Sequence, residues 1–113
     1  MASKNKPINL FSDTVTKPTA EMLNYMMKAA VGDDVLHADP TVKKLEAKVA
    51  KLFGHEAALF FPSGTMANQT AIKLHTSPGD QLICSRMAHI YHYEGGAPAF
   101  ISGISCRLLD GER

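Results

Sequence analysis

Apolar residues recur every three or four positions between residues 40 and 54, and this is the clearest periodicity in the chain. Val42, Leu45, Val49 and Leu52 share one stripe while Lys43, Lys44, Lys48 and Lys51 mostly lie off it, the pattern of a helix with one face turned to a core. Asp39-Pro40 offers a capping side chain followed by proline at the first helical position, and Gly54 offers the stop. A second helix is predicted through "TAEMLNYMMKAA", where Met22, Met26 and Ala29 repeat at helical spacing. Thr19 can cap it, Glu21 suits its positive end, and Gly32 is expected to close it. The methionines at 22, 26 and 27 read as core filler.

Elsewhere the period changes. Residues 8–11 form a short extended apolar run, and "EAALFF", residues 56–61, is a continuous apolar run of strand length. The second run suits a strand buried on both faces of a parallel sheet. A helix is predicted over residues 65–75 with Ala67, Ala71 and Leu74 on one side, then a turn at "SPGD", a strand at "QLIC", a short helix at "HIYHYE" ended by Gly95-Gly96, and a last strand at "GISCRLL". This alternation predicts an α/β fold with a largely parallel sheet and flanking helices. Residues 1–7 read as a flexible tail and residues 8–113 as an incomplete domain, because "LLDGER" follows directly on a strand with too few strands before it for a buried open sheet. The sequence is therefore expected to be part of a larger protein.

Composition narrows the class. With 113 residues, 45% hydrophobic and 20% charged, the chain has the size and balance of one modest globular domain. A net charge of +1 with dispersed basic residues gives no stripe for nucleic acid or an anionic membrane, and the longest apolar runs are too short to span a bilayer. The opening residues do not follow the order of a signal peptide. Cys84 and Cys106 form no CxxC pair and could make one disulfide or none; both sit in apolar strand-like runs, where buried reduced thiols are the more usual state. A cytoplasmic enzyme or binding protein fits these features.

The candidate chemistry centres on "PSGTMANQ". A helix that begins at the carboxyl edge of a parallel strand presents unpaired amides and a partly positive end. Ser63 and Thr65 add hydroxyl donors there, and Gly64 allows close backbone approach, so the stretch can cradle a phosphate. The same three residues also serve as a plain capped turn with no ligand. Neither G-x-x-x-x-G-K-[ST] nor G-x-G-x-x-G occurs, which leaves a nucleotide triphosphate or dinucleotide site without support. His89, His92 and Glu94 lie close in sequence, but without an HExxH arrangement or a third evident ligand no metal site is expected. Taken singly, His89 could be a hydrogen-bonded or surface histidine, and Ser12 an ordinary loop or cap serine.

Taken together, "NLFSDTVTKPT", "VGDDV", "DPTVKKLE", "EAALFFPSGTMANQ", "HTSPGD" and "HIYHYEGGAPAFISG" resemble the amino-terminal part of the threonine aldolases, pyridoxal-phosphate lyases of the aspartate-aminotransferase fold. The resemblance implies the amino-terminal part of that fold's large domain, with pyridoxal 5'-phosphate as cofactor. It implies that Ser63, Gly64 and Thr65 hold the cofactor phosphate, that His89 stacks on the pyridine ring near the substrate hydroxyl, and that Ser12 helps hold the substrate carboxylate. The implied reaction is retro-aldol cleavage of threonine or allo-threonine to glycine and an aldehyde, with His89 or a water it orients as base. A homodimer or homotetramer is implied as well. None of the nine lysines occupies the family's Schiff-base position, so the isolated chain is expected to be inactive. Two alternatives remain: a β-eliminating amino-acid lyase of the same fold, and a truncated, non-catalytic product. The sequence departs from the family at Phe11, where arginine is common, and at Leu36-His37-Ala38, where an aromatic residue and Gly-Glu are usual. That loop is one expected to approach an active site across a subunit boundary.

Overall fold

A computed structural model of the chain describes residues 7–111. All but the last residue of the tail expected over residues 1–7 lies outside them. The chain divides into two compact units, Met1–Ala58 and Leu59–Arg113.

In the first unit a single 3-10 turn at Asp13–Val15 precedes α1 (Ala20–Lys28), a second 3-10 turn at Asp34–Leu36, and α2 (Pro40–Phe53). Capping side chains fix each start. Thr19 accepts the Met22 amide, Asp33 accepts that of Val35, and Asp39 accepts those of Thr41 and Val42, both at 2.8 Å. Gly54 ends α2 in the left-handed region as expected. Gly32, however, does not end α1. That helix stops at Lys28, where Ala29 turns extended. Gly32 serves instead where two stretches of backbone meet: its amide donates to Asp39 Oδ2 at 2.9 Å, and a Cβ on it would stand 2.3 Å from the Ala38 carbonyl oxygen. Thr41 completes the tie by donating its hydroxyl to the Ala30 carbonyl at 2.6 Å.

Residues 8–11 pair with no strand among the described residues, and Ile8, Leu10 and Phe11 are exposed. Two apolar expectations fail in this unit and at its end. Residues 56–61 are not a strand. Extended backbone becomes a strand only when a neighbour completes its hydrogen-bond ladder, and the paired strands here are two elements further along the chain. Met22, Met26 and Met27 are not core filler; they are 58%, 65% and 85% exposed. Of the α2 stripe, Leu45 and Leu52 remain exposed, and Ala50 is the residue the helix buries.

The second unit runs α3 (Gly64–His75), β1 (Gln81–Ser85), α4 (His89–His92), α5 (Ala97–Ser102) and β2 (Ser105–Leu109). β1 and β2 pair in parallel, in register from Gln81↔Ser105 to Ser85↔Leu109, with α4 and α5 in the connection. The α/β class and the parallel pairing agree with the sequence pattern. Leu82, Cys84, Cys106 and Leu108 are the half-buried positions of the alternating strands, and both cysteines are free thiols. α5 was not anticipated: its six residues are too few to show a period, and Pro98 in its first turn reads equally well as a loop signal. The inner face of α3 also differs. Gln69 is buried and Ile72 and Thr76 half-buried, whereas Ala71 and Leu74 face out. Gly95 and Gly96 take φ of 61° and 72°, a left-handed pair that turns the chain sharply from α4 into α5.

Among the described residues, His37 is the one non-glycine with positive φ, at φ 50° and ψ 37°. It stands where the resemblance implies that glycine is usual. We expect His37→Gly to stabilise the protein, and the β-branched His37→Val to destabilise it, each by ~1 kcal/mol in denaturant unfolding. Asp39 yields a pH test. The amides of Val42 and Gly32 hold its carboxyl below the ordinary range against the cost of burial, helped by Thr41. A depressed carboxyl contributes stability above its unfolded pKa and loses it as the pH falls through the folded value. Asp39→Asn should therefore be less stable than the native protein at neutral pH, and denaturation at a series of pH values should show the gap closing below about pH 4.

Candidate functional site

The amino end of α3 is built by Ser63. Its backbone is extended, at φ −147° and ψ 151°, and its hydroxyl accepts the Met66 amide at 3.1 Å. Its carbonyl accepts the Ala67 amide at 3.1 Å. Those two bonds leave the amides of Gly64 and Thr65 as the pair in the first turn that the helix does not itself use. The Ser63 hydroxyl, engaged as an acceptor, keeps its proton to donate. At Gly64 a Cβ would meet no atom within 4 Å. The helix start therefore faces open space with two amides and a hydroxyl ready for an acceptor. An open groove of about 440 Å³ runs beside it, lined by Ser63, Thr65, Met66 and Gln69 with Ala97 and Ile101 across from them.

His89 is the first residue of α4, and its Nδ1 lies 2.9 Å from Glu94 Oε1. The imidazole side chain is 63% exposed, whereas the carboxylate it meets is wholly buried. Glu94 Oε1 also accepts from Asn68 Nδ2 at 2.8 Å, and Oε2 accepts from Gln69 Nε2. Burial works to raise the Glu94 carboxyl, but the hydrogen bonds from Gln69, Asn68 and His89 together outweigh it and hold it below the ordinary value. The Tyr93 ring lies 5.2 Å from that of His89, tilted by 41°. His92 is engaged elsewhere, its Nε2 donating to the Arg86 carbonyl at 2.6 Å. Among the described residues no three His, Cys, Asp or Glu side chains gather as metal ligands.

Of the residues singled out from sequence, Ser63, Gly64 and Thr65 are thus consecutive at one helix end, and His89 is joined to that helix through Glu94. Ser12 belongs to the first unit. It caps the 3-10 turn there, accepting the Thr14 amide at 3.2 Å and meeting the Thr14 hydroxyl at 2.9 Å. Sequence reasoning missed Glu94, Asn68 and Gln69 as parts of the site. Asn68 and Gln69 close the same "PSGTMANQ" stretch, and Glu94 was noticed only as a metal-ligand candidate. The signal that could have found it is a carboxylate next to a Gly-Gly turn, one short helix after the histidine.

The helix start can meet an acceptor such as a phosphate oxygen. Lys73 is the second unit's one lysine, ten residues beyond Ser63 along α3, or about 15 Å at the helical rise.

Residues 9–113 match the family model described as beta-eliminating lyase. The chain is 46% identical over 103 residues to the low specificity L-threonine aldolase of Escherichia coli strain K12, covering 91% of this chain and 31% of that protein. It is 43% identical over 108 residues to low-specificity L-threonine aldolase 1 of Arabidopsis thaliana, covering 95% and 30%. It is 50% identical over 98 residues to the probable low-specificity L-threonine aldolase of Schizosaccharomyces pombe, covering 85% and 26%. The chain thus spans less than a third of the length of these relatives.

Ser63 can be tested for its two roles separately. Ser63→Ala removes the cap and should cost about 1 kcal/mol in denaturant unfolding, whereas Ser63→Asp retains an N-cap acceptor and should cost little. The order should reverse for anions. Phosphorus NMR line broadening of inorganic phosphate should weaken modestly in Ser63→Ala and vanish in Ser63→Asp, whose charge lies beside the same amides.

Proposed function

The chain belongs to the beta-eliminating lyase family, and from that premise we propose that it supplies the phosphate cradle and ring-facing histidine of a pyridoxal 5'-phosphate-dependent lyase. The reaction proposed is cleavage of threonine or allo-threonine, and related β-hydroxy-α-amino acids, to glycine and an aldehyde. The observation that carries this reading is the start of α3: two amides without helical partners, a hydroxyl with a proton to give, and open space at Gly64. The similarity to proteins named low-specificity L-threonine aldolases supports the choice of substrate.

In this reading Ser63, Gly64 and Thr65 bind the cofactor phosphate, and His89 lies against the pyridine ring. When bound, the cofactor acts as a sink for the electrons released as the Cα–Cβ bond breaks. His89 receives the β-hydroxyl proton at Nε2, the ring nitrogen not facing Glu94. The hydroxyl oxygen then becomes the aldehyde oxygen as the bond to Cα parts. Ser12 holds the substrate carboxylate. The covalent lysine comes from outside the second unit, consistent with a chain that spans less than a third of its relatives. We assign the fold to the amino-terminal portion of the aspartate-aminotransferase large domain, on the strength of the small parallel sheet and the family. Exposed apolar side chains on α1, among them Leu23, Tyr25 and Met26, favour a homodimer or homotetramer. The two free thiols favour the cytoplasm.

The test uses the complete protein. Gly64 is free of neighbours and is not left-handed, so Gly64→Val should leave the melting temperature of the cofactor-free protein unchanged. The valine would crowd a bound phosphate, and cofactor affinity should fall by at least about tenfold. Thr65→Ala should weaken cofactor binding by about 1–2 kcal/mol. Unchanged affinity in both would leave the helix start a plain cap. Product analysis with threonine should give glycine and acetaldehyde; ammonia and 2-oxobutanoate would assign β-elimination instead.

A further inference from the structure

Glu94 is the most unusual group in the second unit. Its carboxylate side chain is wholly buried, and it gathers two amide donors from α3 and a histidine from α4. We propose that Glu94 is a positioning residue that holds the neutral His89 ring in the tautomer with hydrogen on Nδ1 and the lone pair on Nε2, while tying that ring to the helix bearing the phosphate cradle. The proposal rests on the reading of His89 as the cofactor-facing residue, and it goes beyond that reading by assigning the ring's state and its source.

The argument starts from the donor inventory. An ionised carboxylate only accepts, so each atom facing it must carry hydrogen. Asn68 and Gln69 can meet it only through their amide NH₂ groups, and His89 only through an Nδ1–H. The lowered carboxyl of Glu94 agrees with the ionised form. Gln69 gives independent support. Its Oε1 is buried without a partner, an arrangement that ordinarily costs stability. The amide is held this way round because turning it would set Oε1 against the carboxylate. The charge on Glu94 thus dictates the orientation of its neighbours rather than adapting to them. The histidine is oriented by the same charge, and its side chain is 63% exposed.

Substituting Glu94→Gln separates charge from shape. With its NH₂ group toward Gln69, the new side chain can donate to Gln69 Oε1 once that amide turns over, which exchanges the unpartnered oxygen for an unpartnered NH₂ at the same place and leaves the number of unmet groups unchanged. The new carbonyl oxygen still accepts from His89 and Asn68. The fold and the tautomer should therefore survive, and only the negative charge is lost. Glu94→Ala instead removes the acceptor and frees the ring.

The experiment has two arms, both on the complete protein. In the first, ¹⁵N-histidine-labelled protein without cofactor is read by two-bond ¹H–¹⁵N correlation at a pH where the His89 ring is neutral. Protonated Nδ1 and bare Nε2 are expected in the native protein and in Glu94→Gln, with mixed tautomers in Glu94→Ala. Bare Nδ1 in the native protein would overturn the proposal, whatever the alanine variant does. In the second, turnover of threonine by Glu94→Ala should fall ~10–100-fold in kcat, with the melting temperatures of both variants recorded to separate loss of the acceptor from loss of the fold. A native kcat in Glu94→Ala would reduce Glu94 to packing and also overturn the proposal. The tautomer arm needs neither cofactor nor substrate, so a native protein that fails to cleave threonine would reject the function while the ring measurement still decides the role of Glu94.

Discussion

A charge without access to water is the constraint around which the second unit is organised. Burying a carboxylate costs several kcal/mol unless hydrogen bonds replace its hydration, and Glu94 is wholly buried. Its replacement shell comes from α3 through Asn68 and Gln69 and from α4 through His89. Neither helix can shift alone without exposing the charge to an incomplete shell. α4 is a single turn that could not persist by its own hydrogen bonds, and Glu94, just beyond it, gives it a fixed address. This is how a short, largely exposed segment can present a histidine in a defined place. Apolar packing contributes less here: among the described residues of this unit, Pro98 and Ile104 are the buried apolar positions.

The first unit solves a similar problem with Asp39, which is buried and satisfied by backbone amides rather than side chains. One oxygen caps α2 and the other reaches back to Gly32. The close approach demanded by that bond explains why residue 32 must lack a side chain. The glycine is legible in sequence as a special position, but its reason is not. A sequence reading sees a glycine shortly after a helical pattern and assigns the commonest cause, a helix terminus; the actual cause lies in the backbone at Ala38, brought near only by the fold. His37, by contrast, keeps a left-handed backbone without being glycine, a departure that the resemblance flagged and the structure makes physical.

What the sequence conveyed well was local. The caps Thr19, Asp39 and Ser63, the stop at Gly54 and the paired strands in the second unit all follow from residues a few positions apart. The failures share a different property. Residues 56–61 are an apolar run whose state depends on whether a neighbouring strand is present, and the methionines of α1 are apolar residues whose burial depends on what covers them. Hydrophobicity records a need for a partner without naming it. The α3 stripe was misjudged for a related reason: Gln69, a polar residue, takes the inner position because Glu94 is waiting there.

The same logic explains why the candidate cradle could be read at all. Ser63, Gly64 and Thr65 act through backbone amides and short side chains whose placement is set by one helix turn, so their arrangement is nearly complete in the local sequence. A cap alone would require only Ser63; it does not require Gly64, which at this point neither adopts a left-handed backbone nor avoids a neighbour. In a helix interior glycine is costly relative to alanine by roughly 0.5–1 kcal/mol, and the first turn shares part of that cost. The glycine leaves the two free amides of this turn open to approach, which is the feature on which the proposed phosphate site rests. His89 is the opposite case: its identity is visible in sequence, but its chemical state depends on a carboxylate five residues away that becomes its neighbour only when α4 turns. The site thus joins a part that local sequence specifies to a part that only the fold can specify, and Glu94 is where the two meet.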